Sequence, residues 1–293
     1  MDTKDGFFGG YREIGECAMY IHEAVYNIDD LLHENLHIHT EFSTCAAREM
    51  TLENIFEQAK KTKLHTIALT DHHHPPKVGF LDKTQEWLRN RQKRKNGEPV
   101  TLLEKIAYQR AELEKKELPF KVLVGAEVSS YDVGKFSDTD EENAELDYRL
   151  YACNHYHIEV WVQPEDRSLD SYINRSFENI EALLKANRAD CIAHPFTGRY
   201  LMKRITDDLG GDPCKFSAAI TDEQIAKAME LSKLSETAWE LNIPSVLGDP
   251  IFHRRFFNIG REVGAVFNIG MDAHKLSALD PAVYAEELKK ILL

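Results

Sequence analysis

Seven short stretches rich in β-branched and apolar residues recur along the chain, and most run directly into a histidine, an aspartate or a glutamate. They cover residues 35–39, 66–70, 121–128, 148–154, 191–193, 238–241 and 265–269. Helical patterns fall between them, beginning at Thr51 and then spanning 101–116, 169–187, 222–234 and 250–263, with a last helix opening at Pro281. Regular strand–helix alternation leads to a mostly parallel α/β sheet or barrel. Thr221 followed by Gln224 is a capping-box start for the 222–234 helix. A further helix is expected over 16–32, where Met19, His22, Val25 and Tyr26 follow helical spacing loosely. Residues 1–33 are thus expected to form a helical extension before a single domain over 34–293. Residues 196–220, with Gly210-Gly211 and Pro213, read as loop. The excursion 77–118 is longer than the roughly 10–15 residues one covering helix needs. It is expected to hold helices at 83–95 and 101–116, and its surplus either overhangs the strand ends as a lid or packs outside.

The residues at the strand ends carry the chemistry. Residues i and i+2 of a strand share a face, so His37 and His39 aim two imidazoles at one point. The second strand delivers Asp71 and His72, the third Glu127, and the fourth His155, with His157 as its alternative. The fifth ends in His194 and the seventh in Asp272 and His274. In parallel barrels the C-terminal strand ends carry the active site. One metal site explains all these residues together, whereas buried structural histidines would each need a separate account. The set exceeds the four ligands of one zinc. Two or three metals sharing the Glu127 carboxylate fit better, and imidazole-rich ligation suits zinc, iron or manganese rather than calcium or magnesium. Closely spaced metals polarise phosphoryl oxygens and activate water. One of His73 and His74 is expected to support these ligands or face substrate. His22, His33, His65 and His253 read as ordinary histidines, and Glu240 and Asn242 as structural.

Composition narrows the partners. A formal net charge of −13 gives no general attraction for a phosphate backbone, so nucleic acid is disfavoured, while a small anion held by local cations is compatible. Five cysteines without a paired framework fit a reducing compartment, and a cytoplasmic protein is expected. The first ten residues do not have the pattern of a signal peptide. No apolar run approaches the ~20 residues that span a bilayer. The oligomeric state is not legible.

Taken in order, His37-Ile38-His39-Thr40, Thr70-Asp71-His72, Gly125-Ala126-Glu127, His155, Ala193-His194-Pro195 and Asp272-Ala273-His274 resemble the motifs of the PHP (polymerase and histidinol phosphatase) superfamily. The resemblance implies a distorted seven-stranded (β/α)7 TIM-like barrel, here with a helical insertion after the second strand. It also implies a trinuclear centre that hydrolyses phosphoesters. It assigns His37, His39, Glu127 and Asp272 to a first metal, Glu127, His155 and His194 to a second, and His72 and His274 to a third. Where family members often complete the third site with histidine, this chain has Cys45, whose thiolate can replace imidazole on zinc. Arg199 stands near the family's phosphate-binding arginine, and its planar donors suit phosphate. Arg48 and Lys275 are further candidates.

The expected activity is hydrolysis of a small phosphomonoester or nucleotide by a metal-bound hydroxide, with Glu127, Asp272, His274 and Arg199 as the catalytic set. Two alternatives lie within the same chemistry. One is a nuclease acting on oligonucleotide ends, suggested by the basic run from Arg89 to Lys95. The other is a histidinol-phosphate phosphatase specifically. An amidohydrolase-type barrel would expect an eighth strand and often a lysine bridge. A non-catalytic metal-binding module would not need this full ligand set.

Overall fold

In this computed structural model, residues 10–14, 17–21, 24–73, 101–158, 161–201 and 203–293 are described. A hairpin of β1 (Gly10–Ile14) and β2 (Cys17–Ile21) precedes the barrel. Then follow β3 (Glu34–Ile38), β4 (Thr66–His73), β5 (Lys121–Asp132), β6 (Lys135–Phe136), β7 (Tyr148–Ala152), β8 (Cys191–Ala193), β9 (Ala238–Asn242) and β10 (Phe267–Gly270). Seven of these form one parallel sheet in the order β3-β4-β5-β7-β8-β9-β10, and β6 folds back antiparallel on β5. The sheet curls until its two edge strands nearly meet. A single bridge, Ile38 to Ala273, spans the seam, with the His39 amide donating to the Ala273 carbonyl and the Ala273 amide to that of His37. The fold is therefore the nearly closed seven-stranded β/α barrel that the sequence implied.

Strand alternation divides the core into two. Leu36, Ala68, Leu123, Leu150, Ala193 and Ala238 pack together inside the barrel. Their neighbours Ile67, Val124, Tyr151, Ile192, Trp239 and Phe267 pack outward against the helices. The same period continues upward. Inward-facing Ala68 and Leu123 are followed four residues later by His72 and Glu127, which stand side by side in the β4–β5 register. On β3 three residue steps, Asn35 to Ile38, oppose two on β4, Ile67 to Leu69. That extra residue re-aims the strand end, where His37 and His39 emerge.

Helices cover the barrel where the sequence placed them, including Leu102–Leu113, Leu169–Ala186, Asp222–Leu234 and Pro250–Val263. The Thr221–Gln224 capping box is formed, and Thr101 with Glu104 makes another. The expected helix over 16–32 is corrected: β2 occupies its first part and, among the described residues of this span, only Ile28–Leu31 is helical. Met19 and Tyr20 belong to a strand paired with β1, and partner-strand hydrogen bonds override loose helical spacing. The expected loop over 196–220 is also corrected, since it contains short helices at Lys203–Asp208 and Cys214–Ala218. The helix expected at 83–95, His74 and the first part of the excursion, 77–100, lie outside the described residues.

No helix among the described residues is long and apolar enough to cross a membrane.

Candidate metal centre

Local backbone geometry presents the ligand-type side chains. His194 and Asp272 adopt positive φ of 29° and 49°, conformations that cost energy in non-glycine residues and concentrate at functional sites. These turns bring side chains from β8 and β10 back over the mouth of the barrel. There His37, His39, Glu127, His155 and His194 are buried, while His72, Asp272 and His274 are partly buried.

Four atoms define the tightest group: His37 Nε2, His39 Nε2, Asp272 Oδ1 and Glu127 Oε2. The two imidazole nitrogens are 3.1 Å apart. Asp272 Oδ1 is 3.0 Å from His39 and 3.5 Å from His37. Glu127 Oε2 is 3.6 Å from His37 and 3.7 Å from His39. Four ligands arranged tetrahedrally at zinc–nitrogen distances of about 2.05 Å would stand roughly 3.3 Å apart. These five separations are all close to that length. The other oxygen of the same carboxylate, Oε1, faces His194 Nε2 at 2.9 Å and His155 Nε2 at 3.3 Å. Glu127 thus addresses two ligand groups at once.

Hydrogen bonds behind the rings show which nitrogens are free to donate electron pairs. His37 Nδ1 meets the Glu240 carboxylate at 2.7 Å, so it carries the proton and leaves Nε2 as a lone pair. Ser43 gives its hydroxyl proton to Asp71, so His39 Nδ1 must donate to Ser43 Oγ, again freeing Nε2. Asn154 donates its amide to the His194 carbonyl, which turns its own oxygen to His194 Nδ1 and frees that Nε2. His274 Nδ1 donates to the Asp272 carbonyl. Nε2 lone pairs therefore converge on one another and on carboxylates. Glu127 Oε2, deeply buried, makes no hydrogen bond of ordinary geometry, although His72 Nδ1 stands 2.6 Å from it. Converging lone pairs around a buried carboxylate oxygen repel unless a cation sits among them. The donor set fits divalent transition metals, and the buried partners behind each ring are what metal-binding histidines characteristically have.

Electrostatics point the same way. Burial alone would raise the Glu127 carboxyl, but without a cation the imidazoles around it take up protons in its place, and charge from His72 and His155 with hydrogen bonding to His194 and His37 holds it well below the usual range. Asp272 is likewise pushed up by burial and brought well down by His37 and His39. Burial, reinforced by neighbouring imidazoles, keeps His39 well below its ordinary pKa and hence neutral. His155 is lowered by burial too, although Glu127 opposes the shift.

The remaining candidates fall around this core. His39, His72 and His274 form a third group, and Cys45 Sγ lies 3.1 Å from His274 Nε2. Asp71 turns away: its carboxylate accepts from Thr40, Ser43 and Gln109 and anchors the loop after β3. His73 faces Glu142, 3.6 Å away, and His157 is exposed on the rim. Arg199 stands on the wall of a cavity of about 690 Å³ that opens beside Cys45, Asp272 and His274. Another cavity of that volume, between the Leu169–Ala186 and Asp222–Leu234 helices, touches none of the cluster residues. Tyr200 was missed by sequence reasoning. Its hydroxyl donates to Asp272 Oδ2 at 3.0 Å and its ring stands 4.6 Å from that of His194. The only signal was its position next to Arg199. Glu240, read as structural, holds both His37 Nδ1 and the His194 amide.

Residues 35–237 match the PHP domain family. Among solved structures, a protein assigned as a histidinol phosphatase from Listeria monocytogenes superposes with a TM-score of 0.58 at 13% identity, covering 86% of this chain and 99% of its own. A histidinol phosphate phosphatase from Lactococcus lactis, complexed with zinc, L-histidinol and phosphate, gives 0.52 at 12%, covering 88% and 92%. No curated protein matches the sequence.

Proposed function

The chain belongs to the PHP domain family, and from that premise we propose that it is a metal-dependent phosphoesterase that hydrolyses a small phosphomonoester. The observation that carries the reading is the buried Glu127 carboxylate, which faces the Nε2 atoms of His37 and His39 through one oxygen and those of His194 and His155 through the other. His37, His39, Glu127 and Asp272 would hold one divalent cation, and Glu127, His155 and His194 a second. His72, His274 and Cys45 would hold a third. Such cations supply Lewis acidity to phosphoryl oxygens and lower the pKa of bound water.

The chain's own residues do the rest. Glu240, Ser43 and Asn154 keep the three buried imidazoles in the tautomer that donates through Nε2. Tyr200 holds Asp272 Oδ2, so that Oδ1 stays turned toward His37 and His39. Arg199, on the wall of the adjoining cavity, would bind phosphoryl oxygens with paired N–H donors. No side chain need bond to phosphorus.

Elemental analysis of protein purified without chelator and refilled with zinc or manganese should find two or three metals per chain. Glu127→Gln should lose metal and phosphatase activity together. Arg199→Ala should keep its metals and lose about 1.5–3 kcal/mol of phosphoester binding, the scale of a charged hydrogen bond. A metal-free wild type, or a fully active Glu127→Gln, overturns the proposal.

A further inference from the structure

The cavity beside the cluster has a composition that selects among phosphomonoesters. Its apolar wall is built from Ile243, Pro244, Leu247 and Met271, and Arg199 and Lys275 stand among these residues. Its one carboxylate, Asp272, is occupied by Tyr200 on one side and by imidazoles on the other. Among the described residues, no carboxylate pairs with Arg199 or Lys275. Two cations without a carboxylate partner among those residues, beside anions already engaged by imidazoles and Tyr200, are a local feature on a chain of net charge −13.

Its volume, about 690 Å³, is that of a pocket for a ring-sized organic group. Its floor is shared with Asp272 and His274, so a phosphoryl group at the cluster would send its ester oxygen and alcohol half into this recess. With Arg199 on the phosphoryl oxygens, Lys275 is left to face the alcohol half. A cationic alcohol would meet apolar wall and a lysine, with no counter-ion.

We propose that the preferred substrate is a phosphomonoester whose alcohol half combines an apolar, ring-sized body with a second anionic group, recognised by Lys275. The inference rests on the phosphoesterase reading above and adds the class of substrate. It separates this chain from a phosphatase for a cationic alcohol such as histidinol.

The test compares three probes on metal-loaded protein: phenyl phosphate and its para-carboxy and para-aminomethyl derivatives. The corresponding phosphonates, which cannot be hydrolysed, are titrated by calorimetry in parallel. The carboxy compound should lead phenyl phosphate by about fivefold in kcat/KM through KM, the scale of an exposed ion pair, and the aminomethyl compound should trail. Lys275→Glu should reverse the order, whereas Arg199→Ala should weaken all three alike. Equal rates and affinities, a lead for the aminomethyl compound, or an order untouched by Lys275→Glu overturns the inference. Ranked phosphonate binding without hydrolysis of any ester would keep this inference and overturn the phosphoesterase reading. Neither binding nor hydrolysis would remove both.

Discussion

Cys45 is the residue at which this centre departs most from an all-imidazole and carboxylate set. Burial pushes its thiol up, but hydrogen bonds from His274 and His72, and their positive charge, bring it down to about 6. In metal-free protein it should therefore be a thiolate at neutral pH. The sign is that of a depressed acid: the reactive form dominates above pH of about 6 and is lost as pH falls through it. Peptide mapping after iodoacetamide treatment should show Cys45 alkylation rising with a midpoint near pH 6, while Cys214, raised to about 11, stays unmodified. Zinc should suppress the reaction. A Cys45 midpoint above pH 8, or no protection by zinc, contradicts a ligating thiolate. At this scale the strand-end ligand types were legible because period-two alternation and the barrel rule predict where such side chains emerge. The groups behind them were not. Ser43, Asn154 and Tyr200 act through hydrogen bonds whose direction depends on loops and on a 3-10 turn, and nothing in their spacing signals this.

At the scale of elements, β10 approaches its neighbours so closely that one position admits no side chain. A Cβ at Gly270 would lie 1.7 Å from Glu240 Oε1 and 2.8 Å from His37 Cβ. Glu240 cannot yield without releasing His37 Nδ1 and the His194 amide. Gly270→Ala should therefore displace two candidate ligands, His37 and His194, by way of the carboxylate behind them. The expected loss is about 10–100-fold in metal affinity, as for mutations behind metal-binding histidines. Zinc titration of the refolded variant measures it, and wild-type affinity would show that the strand can shift freely. The strands and long helices were readable because each is a run of periodic burial with caps. The β1–β2 hairpin was not, because Gly15-Glu16, the two residues between the paired Ile14 and Cys17, are a hairpin signal that competes with loose helical spacing. The short helices at Lys203–Asp208 and Cys214–Ala218 lie below the length at which periodicity is informative. The Leu102–Leu113 helix shows why the excursion 77–118 is not all surplus. Lys105 donates to the His72 carbonyl and Gln109 to Asp71, so its second half braces the end of β4.

Across the whole molecule the barrel has one weak line. β4 and β5 pair along the full length of β4, from Thr66 to His73, whereas β3 and the end of β10 share a single bridge. The metal-ligand candidates flank that bridge, with His37 and His39 on one side and Asp272 and His274 on the other. Cations held between them would tie the two edges together, and removing them would leave carboxylates and imidazoles to be reconciled by protons alone. Binding to the folded state at about 100 times Kd contributes about 2.7 kcal/mol. Each kcal/mol moves Tm by roughly 2–4 °C for a domain approaching this size. Stripping the metals should therefore lower Tm by about 5–10 °C. The loss should be local as well as global. Amide exchange should accelerate first at 36–40 and 268–274, while β5 and β7 keep their protection. Uniform acceleration, or a Tm indifferent to chelator, would mean that the barrel closes without help from its candidate metal centre.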